Sequence, residues 1–267
     1  MSSGHDKARE ERDSEVIRVL SHVFFLNLFV AILKLVFGFF AGAVSMLADG
    51  LHSLLDSASN VVGYVGMSVA RQKPDDDHPY GHRKFEALAS VGISMFLFFT
   101  AWEVLREVIS RVREGHEVDP RPETYAVMVI TVIINILVTR YEKRKGTELR
   151  SSILQADAKH TQSDVFVSLS VIASLIAASF QQPLFDLIVA LLIVGFIIYS
   201  GYEIVSGAFS ILADTQMVDP SEVIAIALQA DQVSHAHRVR SRGGPDDIHV
   251  DLHIHVPPSM TTLEAHD

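Results

Sequence analysis

Six long apolar runs, at residues 19–41, 43–70, 87–108, 125–141, 156–180 and 184–205, constrain this chain more than any other feature. Crossing a bilayer takes about 20 mostly apolar residues in a helix, and a helix keeps its own backbone N–H and C=O groups paired where there is no water. Each run therefore reads as a membrane-spanning helix. The 49% hydrophobic content of the 267 residues agrees with a polytopic membrane protein. The fold class this predicts is an α-helical membrane protein: six transmembrane helices followed by a small cytosolic α/β domain of αββ order.

The flanking segments set the domain organisation. Residues 1–18, MSSGHDKAREERDSEVIR, are polar and of mixed charge, without the basic-then-apolar order of a signal peptide, and read as a solvated cytosolic segment. The transmembrane domain spans 19–205 and the C-terminal domain 206–267. Arg71, Lys73, Arg83 and Lys84 lie in the second–third connection and Arg140, Lys143, Arg144, Lys145 and Arg150 in the fourth–fifth. By the positive-inside rule both termini are cytoplasmic. The third–fourth connection, RVREGHEVDPRPE, runs against that rule with three Arg. The expected location is a bacterial inner membrane.

Beyond residue 205 the pattern changes. PSEVIAIALQA, 220–230, has helical apolar spacing behind a capping Asp219. Two strand-like runs follow, 235–242 and 247–256, with Gly243, Gly244 and Pro245 as the turn between them. The second run, DIHVDLHIHV, alternates strictly. Ile248, Val250, Leu252, Ile254 and Val256 share one face, and His249, Asp251, His253 and His255 the other. The chain stops at Asp267 where an open sheet still needs covering, so this domain is expected to be truncated.

The charge of -10 at neutral pH leaves no basic stripe for nucleic acid and suits the handling of cations. With no cysteine, a metal must be held by nitrogen and oxygen, and there are 13 histidines to do so. Against that background, SMLADGLHSLLDS in the second run and QADAKHTQSD in the fifth stand out. An ionised acid at mid-membrane costs about 2.5–3.5 kcal/mol on an insertion scale, so something must offset it. His52 and Asp56 are four apart and share a helix face; His160 and Asp164 repeat the spacing. Side by side, the two helices would bring two imidazoles and two carboxylates to one point, a donor set that satisfies a tetrahedral Zn²⁺.

Asp49 and Asp157 each precede the His of a pair by three residues. They read as orienting the imidazoles, with helix-end caps or interhelical partners as the alternative. In DDDHPYGHRKFE, 75–86, Asp75, His78 and His82 lie close together, against the plainer reading of a solvated turn. Lys34, mid-run in the first segment, either pairs with an acid or snorkels. No H-E-x-x-H string occurs, and a four-ligand site leaves no open position, which argues against an intramembrane hydrolase; no enzymatic activity and no resident cofactor are expected.

These residues resemble the cation diffusion facilitator family over nearly the whole chain after residue 18. The resemblance rests on ADxxHxxxD in the second run, HxxxD in the fifth and DHPYGHRKFEAL between the second and third. It implies a homodimeric antiporter exchanging a cytosolic divalent metal for protons across a lipid bilayer. His52, Asp56, His160 and Asp164 would form the transport site, and Asp75, His78 and His82 a cytoplasmic loop site. Lys84 and Asp214 would form a dimer-interface salt bridge, and His237, His253 and His266 ligands of a regulatory metal. The His-containing pairs resemble the zinc-preferring members, with Fe²⁺, Cd²⁺, Co²⁺ or Mn²⁺ as further substrates. The rival expectation is a metal-sensing or assembly scaffold that binds a cation and moves none.

Overall fold

The computed structural model describes residues 2–41, 44–114, 122–179 and 183–266. Six long helices come first: α1 (Ser2–Ala41), α2 (Val44–Ala70), α3 (Lys84–Glu114), α4 (Pro122–Glu148), α5 (Ser152–Ser179) and α6 (Pro183–Leu212). At about 1.5 Å per residue each is long enough to cross the roughly 30 Å of hydrocarbon. Among the described residues, three helices carry stretches apolar enough for a span by composition alone, over Lys7–Phe37, Lys84–Arg106 and Leu191–Leu212. α2 and α5 carry the intramembrane polar residues. Phe25, Phe29, Trp102, Leu192 and Tyr199 are large, apolar and exposed, a surface suited to lipid.

The chain forms two compact units, Met1–Ala208 and Phe209–Asp267. In the first, α1 packs on α2, α4 on α5, α2 on α3, α3 on α5, and α2 on α5. One buried cluster, including Val19, Leu20, Met67, Ile93, Ile153 and Leu154, joins these helices. Leu97 and Ala101 of α3 meet Val194 and Ile197 of α6 in another, and Phe166 of α5 packs edge-on against Phe196 of α6. Gly66 lets α2 approach α3 closely, because a Cβ there would overlap that of Ala89.

The N-terminal segment differs from the sequence expectation. It is a solvated lead-in only in part: α1 runs unbroken from Ser2 into the membrane span, and Asp13 and Val16 are buried while Lys7, Glu10, Glu11, Ser14 and Arg18 stay exposed. The cause is pairing. Arg12 reaches Glu86 and the carbonyls of Leu149 and Arg150, Asp13 accepts from Arg83, and Lys145 donates to Glu15 at 2.6 Å.

In the second unit α7 (Pro220–Ala227) is capped by Asp219, which accepts from the Ser221 amide. β1 (His235–Gly244) and β2 (Asp247–His255) pair antiparallel. The turn is shorter than predicted: Gly243 and Gly244 belong to β1, and two residues, Pro245 and Asp246, connect the strands. Gly243 has φ +110°, and a Cβ there would meet the Asp247 carbonyl at 2.0 Å, so the position admits only glycine. A bulge between His237 and Arg240 interrupts the register. α8 (Thr262–His266) starts with a capping box, Thr261 and Glu264 each accepting from the other's amide.

Candidate metal-transport site

α2 and α5 bring Asp56, His160 and Asp164 together, with one ligand atom from each lying within 4.8 Å of the others. His160 is 2% exposed, and the two acids are half-buried. The ring of Phe96 on α3 lies 6.1 Å, centroid to centroid, from that of His160. Two carboxylates and an imidazole in one enclosure form a site for a dication, since positive charge relieves the repulsion between the acids. His52 lies one turn before Asp56 on α2; its side chain and that of Asp49 fall outside the described residues.

Around this point the helices are cross-linked by polar groups. Asp157 is fully buried and accepts from Ser59 Oγ at 3.2 Å and Asn60 Nδ2 at 2.5 Å, both on α2. Of the roles open to it, the interhelical link is the one these bonds display. Lys34 donates to Ser53 Oγ at 2.8 Å, so it is held inside the bundle by α2. Glu142 of α4, also fully buried, accepts from Thr161. The sequence reading passed over it because it stands in the basic stretch RYEKRK. The signal was its spacing, four residues after the buried Val138 and four before the buried Gly146.

At the α2–α3 connection Asp75, His78 and His82 also converge within 4.8 Å. Asp75 accepts from the His78 amide at 2.6 Å, and this bond above all holds its carboxyl below the ordinary value. The His78 and His82 rings are 4.2 Å apart, and His82 is 5% exposed. Gly81, at φ +82°, turns the loop so that both imidazoles face Asp75. Lys84 opens α3 in the first unit, and Asp214 follows α6 in the second.

In the second unit His237 sits opposite His253, and His235 opposite His255. The His237 ring lies 5.4 Å from that of His253 and 4.9 Å from that of His255. Burial pushes the His237 pKa below the ordinary imidazole value, and His255, His235 and His253 push it the same way. His266 stands on α8. Among the described residues the imidazole neighbours of His237 are thus His235, His253 and His255, two of which the resemblance did not name.

Residues 21–213 match the model of the cation efflux transmembrane domain, and 217–267 that of the cation efflux protein cytoplasmic domain. The chain belongs to the cation efflux family. It is an integral membrane protein of the cation diffusion facilitator type. It is 30% identical over 245 residues to an uncharacterized transporter of Methanocaldococcus jannaschii, covering 90% of this chain and 86% of that one. Metal tolerance protein 2 of Oryza sativa subsp. japonica is 30% identical over 264 residues, with 88% and 67% covered. A manganese efflux system protein of Bacillus subtilis is 26% identical over 243 residues, with 90% and 83% covered.

Proposed function

We propose that this cation efflux protein exports divalent metal ions from the cytosol in exchange for protons, with Zn²⁺ as the preferred substrate. The observation that carries the reading is the convergence of Asp56, His160 and Asp164 inside a helix bundle. His52 stands one turn from Asp56 and would complete a four-ligand, two-imidazole set suited to Zn²⁺. The name of the Bacillus relative specifies manganese; all-oxygen sites suit Mn²⁺, and imidazole suits Zn²⁺.

Metal and protons compete for the same nitrogen atoms, because an imidazole must be neutral to bind metal. An ordinary imidazole titrates near pH 6.5, inside the physiological range. His52 and His160 would therefore release protons when metal enters from the cytosol and regain them when it leaves to a more acidic side. Asp56 and Asp164 supply the negative charge that makes a dication stable there. Rocking of the helices would expose the site to each side in turn. The metal is cargo, and the protein performs transport without enzymatic chemistry or a resident cofactor.

The match to the family's cytoplasmic domain and the exposed apolar residues Ile248, Val250 and Ile254 support a homodimer; the basic second–third and fourth–fifth connections support cytosolic termini, and the membrane proposed is a bacterial cytoplasmic one. The Lys84 and Asp214 pair would lie at that dimer interface.

The test is Zn²⁺ flux into proteoliposomes with and without a pH step of about two units. Flux should rise when the destination side is acidified, with a pH dye reporting counter-movement, and Asp164→Ala should abolish it. Flux indifferent to the pH step would exclude antiport. Zn²⁺ binding without any flux would make the protein a scaffold.

A further inference from the structure

Glu142 is a fully buried acid that is not among the metal-facing groups. Thr161 Oγ1 of α5 lies 3.1 Å from Glu142 Oε2 and 3.2 Å from the Asp157 carbonyl oxygen, so its hydroxyl bridges the two residues. Asp157 accepts in addition from Ser59 and Asn60 on α2, and Asn60 accepts from Asn27 Nδ2 on α1 at 3.1 Å. One chain of hydrogen bonds therefore crosses α4, α5, α2 and α1.

Its position relative to the metal-facing residues is regular. Asp157 precedes His160 by three residues, Thr161 adjoins His160, and Asn60 follows Asp56 by four. Asp157 on α5 and Asn60 on α2 each lie about one turn, about 5.4 Å, from the convergence point, towards the end that carries the Asp75 loop. Apolar packing already holds α4 to α5 here through Val138, Ile153 and Leu154. Apolar contacts tolerate small slides and rotations, whereas hydrogen bonds between buried groups are directional and costly to leave unmade.

We propose that Glu142 is a positioning residue of the transport site. Through Thr161 it fixes the height and rotation of α5, which Asp157 links to α2, and with them the spacing of His160 and Asp164 from Asp56. That spacing decides how well the site tells apart dications of different radius. The inference rests on the transport-site reading above.

The experiment measures KM and kcat for Zn²⁺ and for the larger Cd²⁺ in proteoliposomes of the full chain. Four variants are compared: Glu142→Ala, Glu142→Asp, Glu142→Gln and Asp164→Ala. Outer partners of metal ligands typically change affinity by about 10–100-fold when removed, so Glu142→Ala should move the Zn²⁺/Cd²⁺ ratio of kcat/KM by about tenfold. Glu142→Asp, which keeps the carboxyl and shortens its reach, should move the ratio in the same direction and decides the matter if the alanine variant does not fold. Glu142→Gln, which keeps an oxygen to accept from Thr161, should keep the wild-type ratio. An unchanged ratio with both rates falling together would reduce Glu142 to a structural role, and a glutamine variant behaving like the alanine one would overturn the proposal as well. Wild-type flux in Asp164→Ala would instead sink the transport-site reading itself.

Discussion

Arg12 of α1 and Glu86 of α3 meet as a two-pronged ion pair, with N···O distances of 3.1 and 3.3 Å and only 12% and 8% of the side chains exposed. Ser151 Oγ and the Ser152 amide at the start of α5 donate to the same carboxylate. Asp13 accepts from Arg12 and from Arg83, so two cations and two acids balance at one corner of the bundle. Removing one member of a buried pair strands the other and costs about 3–5 kcal/mol. Glu86→Ala should therefore lower the unfolding midpoint in detergent markedly. Lys73→Ala, which breaks an exposed 3.7 Å pair with Glu10, should leave the midpoint within error.

Close helix contact at Gly66 yields a second expectation. A methyl group there would overlap Ala89, and overpacking of a tight contact typically costs about 1–3 kcal/mol. Gly66→Ala should lose that stability in chemical denaturation. Adding Ala89→Gly should recover most of it, and a double variant as unstable as the single one would place the strain elsewhere.

The second unit should respond to mild acid. His237 has its pKa lowered in the fold from an ordinary value of 6.5, by burial first and then by His255, His235, His253 and Arg238. The unfolded chain thus takes up this proton more readily. The associated stability is present above pH 6.5 and is lost as pH falls through the folded-state value. Hydrogen exchange of β1 and β2, corrected for intrinsic rates, should show protection falling below about pH 6.5 in the wild type. In His237→Gln the same profile should be flatter.

Metal choice should follow the donor set. His52→Asp replaces a nitrogen with oxygen and should relax discrimination against Mn²⁺ and Cd²⁺. The Zn²⁺/Mn²⁺ flux ratio measures this directly, and an unchanged ratio would count against His52 as a ligand.

How much of this was legible beforehand differs by element. The six spans were, because lipid imposes a length and a polarity that any reader can count; the sixth helix nevertheless runs on to Leu212, past residue 205. The convergence of Asp56, His160 and Asp164 was legible because four-residue spacing fixes a helix face whatever surrounds it. The N-terminal segment follows its composition only in part. KAREERDSEVIR has the composition of a solvated tail, and only its partners, Glu86, Arg83 and Lys145, drawn from 70 to 130 residues away, make it part of the bundle.

Sequence alone, then, determined the class of chain and the helices that carry Asp56, His160 and Asp164, since these depend on period and composition. Tertiary structure alone decided which polar groups meet across helices. Asn60 reaches Asp157 and Glu142 reaches Thr161 because α2, α5 and α4 pack at a particular rotation. Helical period places a side chain on a face and leaves open which neighbour that face will find, because the choice of neighbour is the sum of many weak apolar contacts spread over the whole bundle.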